Sequence, residues 1–348
     1  MKKNAVISLF LVFALLVFSC KKEEEKAKST MVGEIKYNLP TYVLSGQLLA
    51  TSCGGILTPR GVSYFWTSTD MQISLDPDVD TVRGNSVLFY APDEAGDYTI
   101  MASAEYNGYY RKTKTHTIKV LSEDGSSISG IKPVEEHFVD PRDGVSYPVI
   151  EVGHLKWFAA NLQYYDPEDE VGLGYDGNLS AGKYFGLLYS WNEATGGVSG
   201  TGLGGGPQGR CPEGWSIPTD DDWVDFANSI QQDGSYGYED RWLRLGDMAS
   251  ADALINGDHF WPYSSNNQHS NVVAWNAIPA GNIVKEVVYD VETFVSQNLG
   301  NYGWWWSSTE REDNCASCRY IFYNQSTFDR LLTDRDNFCA SIRCVKLK

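Results

Sequence analysis

The chain has 348 residues, of which 42% are hydrophobic and 21% are charged, and this length is sufficient for two domains with separate cores. Its net charge of −17 disfavours nucleic-acid binding, which requires a basic surface that displaces counterions. The same charge disfavours adhesion to anionic lipids by charge alone. We therefore expect an acidic protein that binds no nucleic acid.

The N-terminus carries the features of an export signal. Two lysines precede an apolar stretch, residues 5–18, that is shorter than a membrane-spanning helix needs. The stretch is followed by Ser19 and Cys20, a junction that resembles the bacterial lipobox. The resemblance implies that Cys20 is acylated and becomes the mature N-terminus. We interpret residues 1–20 as a lipoprotein signal peptide; the alternative is a plain signal peptide with an incidental cysteine.

Residues 21–30 form a charged tether in which lysines are followed by three consecutive glutamates. A lysine followed by acids directly after a lipidated cysteine resembles the surface-export signal of Bacteroidetes lipoproteins. That resemblance implies an outer-membrane protein that faces the cell exterior and contacts the membrane only through its lipid anchor. A solvated tether without an export role would have the same composition.

Residues 31–121, which we call the first region, alternate short apolar runs with Gly- and Pro-containing turns. About seven strands in this length predict an all-β sandwich. The region resembles immunoglobulin-like and polycystic-kidney-disease-like modules, with Trp66 at the core tryptophan of strand C and Tyr98 at the tyrosine corner. Cys53 takes the strand-B cysteine position, but Ile100 occupies the place of its partner. We therefore predict that Cys53 is a buried free thiol and that the region is a spacer.

Residues 122–135 are rich in Ser, Gly and acidic side chains and are interpreted as a linker. The remaining residues, 136–348, form what we call the head. Its clearest element is a helix after Thr219, because Thr219 and Asp222 have the spacing of a capping box. Apolar residues then recur on one helical face, which we expect to be buried: Trp223, Phe226, Ala227 and Ile230.

Residues 236–303 show weak periodicity and many turn residues, so we predict a long excursion with little regular structure. Its aromatic residues provide the candidates for ligand binding, namely Trp242, Trp261 and Tyr263, because sugars stack on such rings and protein partners anchor on them. The alternative is that these rings attach the loops to the core. After the excursion, residues 318–324 and 338–346 are predicted to form a strand pair.

The head contains a series of sequence marks, which are Trp157 to Leu162, Cys211 to Pro218, Trp223, Ala277 to Gly281, Trp304 to Thr309 and Ile342 to Val345. In this order they resemble the Fibrobacter succinogenes major paralogous domain and the C-type-lectin-like fold. The resemblance implies an α+β head, so the expected fold class is multidomain, with an immunoglobulin-like sandwich before an α+β C-type-lectin-like domain. It also implies a disulfide between Cys211 and Cys344, the first cysteine and the one on the last strand.

The head lacks the residue patterns that would predict a catalytic or metal site. The calcium-binding triplets of sugar-binding C-type lectins are absent, and the glycine-rich residues 200–205 are not placed between a strand and a helix. Cys315, Cys318, Cys339 and Cys344 have zinc-like spacing, but oxidation is favoured in an exported protein. The pairing of Cys315, Cys318 and Cys339 stays open. We predict no cofactor, no metal and no catalytic residue.

These features favour a non-enzymatic surface lipoprotein that binds or adheres to a glycan or a protein. One alternative is a cell-surface glycan-processing enzyme, which convergent carboxylates in a cleft would favour. A second alternative is a structural component of an envelope or fimbrial assembly, which an exposed apolar patch or an unpaired edge strand would favour.

Lipidation at Cys20 predicts that metabolic palmitate labelling of the protein disappears in Cys20→Ala, because the variant has no thiol to acylate. The measurement is the label per mass of protein in cells that express each form. Label that persists in the variant would show that another residue is acylated or that the junction is not a lipobox.

Overall fold

The structure is a computed structural model that describes residues 27–73, 80–231, 237–238, 240–288, 291–312 and 314–348. The predicted signal peptide, Cys20 and most of the charged tether lie outside these residues. The chain is mostly β, with 44% strand and 10% helix distributed over many small sheets. The expected fold class, an immunoglobulin-like sandwich followed by an α+β C-type-lectin-like domain, is therefore wrong. The secondary-structure content favours an all-β fold.

The first region contains strands from three sheets around one core. Five strands form the sheet β2-β9-β8-β5-β6, in which only the β2–β9 pair is parallel, and two further pairs are β1-β4 and β3-β7. The strands are β1 (Val32–Lys36), β2 (Tyr42–Leu44), β3 (Leu48–Ser52), β4 (Gly54–Thr58), β5 (Ser63–Thr67), β6 (Thr81–Arg83), β7 (Ser86–Tyr90), β8 (Gly96–Glu105) and β9 (Lys112–Leu121).

The core of the first region follows from the alternation of its strands. In β7 the side chains of Val87 and Phe89 are buried while their neighbours are exposed, as a strand with one covered face requires. Trp66 is fully buried, and the Tyr98 hydroxyl donates a hydrogen bond to the Glu94 carbonyl at 2.9 Å. Cys53 is a buried free thiol, as predicted, and burial raises its pKa to about 11.

The segment interpreted as a linker is packed between the first region and the head. Within residues 122–135, strand β10 (Ile128–Ser129) pairs with β17 (Leu254–Ile255) of the head. An apolar cluster that includes Leu121 and Phe260 continues across the same boundary. A hydrogen bond crosses this boundary as well, because the side-chain amide of Asn178 in the head donates to the Tyr42 carbonyl of the first region at 2.7 Å. The first region is therefore attached to the head by a continuous contact surface.

The head contains three four- or five-stranded sheets. Their strand orders are β11-β12-β13-β25, β14-β24-β19-β20 and β15-β16-β23-β22-β21, and all pairs in them are antiparallel. Its remaining strands are β11 (Glu136–Val139), β12 (Ser146–Val152), β13 (Leu155–Phe158), β14 (Tyr189–Ser190), β15 (Gly237–Tyr238), β16 (Arg241–Trp242), β18 (Asp258–His259), β19 (Asn282–Val288), β20 (Val291–Gln297), β21 (Tyr302–Glu310), β22 (Cys315–Phe322), β23 (Phe328–Asp334), β24 (Phe338–Ala340) and β25 (Val345–Leu347).

The helices of the head are short, and the longest is the one predicted after Thr219. The helices are α1 (Gly182–Phe185), α2 (Trp191–Thr195), α3 (Asp220–Ile230) and α4 (Leu245–Ala249). The capping box of α3 is confirmed: the Thr219 hydroxyl accepts from the Asp222 backbone at 3.1 Å, and the Asp222 carboxylate accepts from the Thr219 backbone at 2.8 Å. Three of the four residues of the predicted face, Trp223, Phe226 and Ala227, are inaccessible to solvent, whereas Ile230 in the last turn is only partly buried.

Two predictions for the second half of the head are wrong. Residues 236–303 are not largely irregular, because β19 and β20 form a seven-residue antiparallel hairpin within them. The final strand pair is also different. Cys318 lies opposite Trp306 in β21 and Leu331 in β23, whereas β24 belongs to another sheet. The intervening strand β23 carries two adjacent exposed leucines, Leu331 and Leu332. Its apolar residues therefore do not alternate along the strand, and a search of the sequence for alternation misses it.

A buried guanidinium lies between the sheets of the head. Arg343 is fully buried, and its planar guanidinium stacks on the ring of Trp275, with 4.0 Å between Cζ and the ring centroid. It donates to the Asn161 side-chain oxygen and to the Asn276 carbonyl, each at 2.9 Å, and also to the Trp275 carbonyl. The same Asn161 oxygen accepts from the Trp305 indole at 2.9 Å. One amide therefore joins two distant parts of the chain.

The expected disulfide between Cys211 and Cys344 is present and fully buried. It joins residues separated by 133 positions, and β25 begins directly after its second cysteine. A cross-link over so long a segment restricts the unfolded chain strongly.

Replacing the central amide should destabilise the protein strongly. Asn161→Ala removes the acceptor of both Arg343 and Trp305, so we expect a loss of about 3–5 kcal/mol in the free energy of unfolding. The measurement is urea-induced unfolding followed by tryptophan fluorescence. The matched control is Asn192→Ala, whose amide bonds Asp336 at an exposed site, with an expected loss of about 1 kcal/mol or less. Equal losses in the two variants would contradict the central role of Asn161.

Candidate functional site

A cleft of about 380 Å³ opens beside the loop that follows β18. We call it the Tyr263 cleft. Its walls combine aromatic rings with polar side chains, which is the usual composition of a small-molecule site. The residues that define it are Asp252, His259, Trp261, Tyr263, Gln268 and His269.

The three aromatic residues proposed from the sequence occupy different environments. Trp242 and Trp261 are only 4% and 2% exposed and belong to the core that surrounds α3. Tyr263 is 89% exposed. The burial of the two tryptophans favours the alternative in which they attach loops to the core, so Tyr263 is the candidate that is open to a ligand. Trp261 still lines the cleft, with its indole donating to the Ala277 carbonyl at 3.3 Å.

His269 forms part of the cleft and is held in one tautomer. Its ring stacks on Trp261 with centroids 5.1 Å apart, and its Nδ1 lies 2.9 Å from the Ser250 hydroxyl. That hydroxyl donates to the Gly246 carbonyl at 2.7 Å, so it accepts a hydrogen bond from Nδ1. Burial lowers the pKa of His269 to about 4, and the ring is therefore neutral at pH 7. Its Nε2 is left as an acceptor without a partner in the described protein.

The rim of the cleft is polar and is fixed to a neighbouring turn. His259 and Asp252 are both exposed and form a pair with 3.0 Å between Nδ1 and Oδ1. The Ser264 hydroxyl donates to the Asn324 side chain at 2.7 Å, and the Asn267 amide donates to the Gln325 carbonyl at 3.1 Å. These bonds tie the loop that carries Tyr263 to the turn between β22 and β23, so the ring is presented from an ordered loop.

Sequence reasoning identified Tyr263 but missed the polar residues around it. Asp252, His259 and His269 come from separate points of the chain, and although Asp252 and His259 are seven positions apart, as on a helical face, no helix forms between them. The one signal in the sequence was the presence of two histidines close to the aromatic residues. It becomes informative only when the loop geometry is known.

The cleft has few of the groups that a hydrolase needs. Among the residues that line it, Asp252 is the single carboxylate, and it is engaged by His259. In the described ranges no group of three or more His, Cys, Asp or Glu side chains is placed to hold a metal ion. The four-thiolate zinc set is not formed either, because Cys344 is bonded to Cys211. Cys318 and Cys339 are buried thiols with raised pKa values caused by burial, about 12 for Cys339.

The glycine-rich loop before α3 is occupied by the protein's own carboxylates. The backbone amide of Gly202 donates to Asp221 at 2.8 Å, and that of Gly204 donates to Asp222 at 2.6 Å. A dinucleotide site would need such amides for a phosphate. The amides of Gly202 and Gly204 are therefore satisfied by the first turn of α3, and this agrees with the sequence interpretation that residues 200–205 are not a dinucleotide site.

Comparison with known families assigns the head to a protein family. The Fibrobacter succinogenes major domain matches residues 150–346, which is more than half of the chain. The chain belongs to this family. The matched range of the Fibrobacter succinogenes major domain contains the disulfide, the buried Arg343 and the whole Tyr263 cleft.

Comparisons with individual proteins add little to the family assignment. No curated protein sequence matches this member of the Fibrobacter succinogenes major domain family. Among solved structures, the Yersinia pseudotuberculosis adhesin InvE matches with 10% identity and a TM-score of 0.23, covering 91% of this chain and 70% of that one. A TM-score of this size carries no argument about fold or function. None of the helices in the described residues has the length and apolar character needed to cross a membrane.

The two cleft aromatics should respond differently to truncation. Trp261→Ala should lower the free energy of unfolding by about 3–5 kcal/mol, because a buried ring and its contacts are lost. Tyr263→Ala should change it by about 0.5 kcal/mol or less, because its ring is in solvent. Chemical denaturation of the purified full chain measures both. A large loss for Tyr263→Ala would mean that this ring also supports the fold.

Proposed function

We propose that the protein is a non-catalytic lipoprotein of the outer-membrane surface that binds a glycan through the Tyr263 cleft. The observation that carries the proposal is the 89% exposure of Tyr263 beside a polar cleft. An exposed aromatic ring on an ordered loop loses apolar contact with water when a sugar face stacks on it. The anchored, outward-facing location follows from the resemblance of residues 1–25 to lipoprotein export signals and stays part of the proposal.

The polar groups of the cleft support a hydroxyl-rich ligand. The Nε2 of His269 is a buried acceptor and does not face the ligand, whereas Gln268 and the pair of His259 and Asp252 are exposed and offer both donors and acceptors. A neutral sugar presents hydroxyl groups that serve both roles. A strongly anionic ligand would face the carboxylate of Asp252. We therefore favour a neutral glycan over an acidic one, and over a flat protein surface.

The enzyme alternative receives less support from the cleft. Glycoside hydrolysis commonly uses two carboxyl groups about 5–10 Å apart. The lining of the Tyr263 cleft offers one carboxylate, and it already has a partner. Binding without catalysis does not need a second carboxylate, so the lining of the cleft is better suited to binding than to hydrolysis.

The assembly alternative has one observation in its favour. Strand β20 lies at the edge of its sheet, and Phe294 on this strand is 54% exposed while Val287 on the adjacent strand is 67% exposed. An edge strand with apolar side chains can pair with another chain. However, the Ser296 hydroxyl accepts a hydrogen bond from the Asp176 backbone at 2.7 Å, so one end of this edge is already covered.

The proposal is tested on a glycan array probed with the full chain, because residues 122–135 pack against the head. We expect binding to neutral glycans that Tyr263→Ala weakens roughly tenfold or more, as the loss of a central aromatic anchor does. Tyr263→Phe keeps the ring and should retain most of the affinity. Tyr110→Ala removes a 58% exposed tyrosine of the first region and should leave binding unchanged.

Two results would reject the proposal. One is the absence of any glycan bound by the wild-type chain. The other is glycan binding that Tyr263→Ala and Tyr110→Ala affect equally. Sedimentation velocity of the same preparations addresses the assembly alternative, because self-association through β20 would be lost in Phe294→Lys and unaffected by both tyrosine variants.

A further inference from the structure

A second concave site lies at one end of the five-stranded sheet of the first region. It has a volume of about 500 Å³ and we call it the basic cleft. It is formed where β5 begins, where β6 and β8 end, and where the N-terminal segment passes the turn after β8. The residues that define it are Lys28, Arg83, Glu105, Tyr106, Tyr109 and Arg111.

Three cations in this cleft face one carboxylate. Arg111 forms an ion pair with Glu105, and its guanidinium lies 5.0 Å from the ring centroid of Phe65, which restricts its orientation. Lys28 and Arg83 are exposed, and neither has an acidic partner within the described ranges. The cleft therefore carries positive charge that the protein itself does not neutralise.

The backbone fixes the N-terminal segment in this position. The Ser29 amide donates to the Gly108 carbonyl at 2.9 Å, and the Ser29 carbonyl accepts from the Tyr110 amide at 2.9 Å. This parallel bridge holds Lys28 against the turn that carries Tyr106 and Tyr109. The three cations thus come from three separate segments of the chain that the fold brings together.

The charge distribution of the chain makes the cleft stand out. Residues 27–121 contain eight Lys and Arg and nine Asp and Glu, a net charge of −1, whereas the whole chain carries −17. The acidity is thus concentrated outside the first region. At physiological ionic strength, charges separated by more than about 8 Å are largely screened, so the lining residues dominate the potential inside the cleft. The net charge of the whole chain disfavours adhesion to anionic lipids, but that argument does not apply to this local basic surface.

We infer that the basic cleft binds a phosphate group. A phosphate carries up to two negative charges and several acceptor oxygens, which match the charges of Lys28, Arg83 and Arg111. The hydroxyl groups of Tyr106 and Tyr109 supply neutral donors in the same lining. The site is separate from the Tyr263 cleft, and the inference does not depend on the proposed glycan binding.

Two sources can supply the phosphate group. One is an anionic lipid headgroup: Lys28 follows Cys20 by eight residues, so an anchor at Cys20 would keep the cleft within roughly 29 Å of extended chain from the bilayer. The other is a soluble phosphate compound. The two sources share the same chemistry at the cleft and differ in whether a bilayer is needed.

The test uses the chain from residue 21, which retains every described residue and has no acyl group. Isothermal titration with pyrophosphate forms one arm. Sedimentation with vesicles forms the other, comparing phosphatidylcholine alone with phosphatidylcholine and phosphatidylglycerol mixed. We expect pyrophosphate binding, and Arg83→Gln combined with Arg111→Gln should weaken it roughly tenfold or more, because two charge-assisted contacts are lost. Retention on phosphatidylglycerol vesicles that pyrophosphate displaces would identify the lipid source, and binding in the titration alone would identify a soluble source.

The matched control is Lys36→Gln combined with Arg60→Gln, which changes the net charge equally and lies outside the cleft. This control should bind like the wild type, and both double variants should keep the wild-type melting temperature. Glu105→Gln removes the one carboxylate and should strengthen binding. No binding in either arm, or an equal loss in the two double variants, overturns the inference.

Discussion

The buried guanidinium of Arg343 imposes the strictest requirement on the head. Transfer of a charge from water to the interior costs several kcal/mol unless hydrogen bonds compensate for it. Burial accordingly lowers the pKa of Arg343 well below its ordinary value. The compensation comes from the Asn161 amide, from the carbonyls of Trp275 and Asn276, and from the face of the Trp275 ring. These segments are far apart in the sequence, and all must be in place before the charge is satisfied.

The hydrogen-bond network of Arg343 joins three of the six marks recognised in the sequence. Asn161 lies in the first mark and Arg343 in the last, and the indole of Trp305 in the aromatic mark donates to the same amide oxygen as Arg343. Gly186 belongs to the arrangement as well, because its φ of +80° and its contact with Asn161 leave no room for a side chain. The sequence could show the order in which these residues occur. It could not show that one hydrogen-bond network connects them.

Local signals predicted local structure, and the rest depended on contacts between distant segments. The cap and buried face of α3 follow from spacings within one helix and were predictable. The β19–β20 hairpin and the strand β23 were missed because their exposed sides interrupt the apolar alternation. The aromatic density around Trp261 is the same whether the rings are buried or exposed, so only the fold separates Trp261 from Tyr263. The basic cleft likewise unites residues from three separate segments.

The disulfide would determine how the head carries a load if a ligand bound in the Tyr263 cleft were pulled. The Tyr263 cleft lies between Cys211 and Cys344 in the sequence, so a ligand that pulls on it loads two arms of chain that end at the same covalent link. The arms share the force in parallel, and each must yield before the head can extend. Such a load would reach the first region through the contacts at the packed boundary, among them the pairing of β17 with β10.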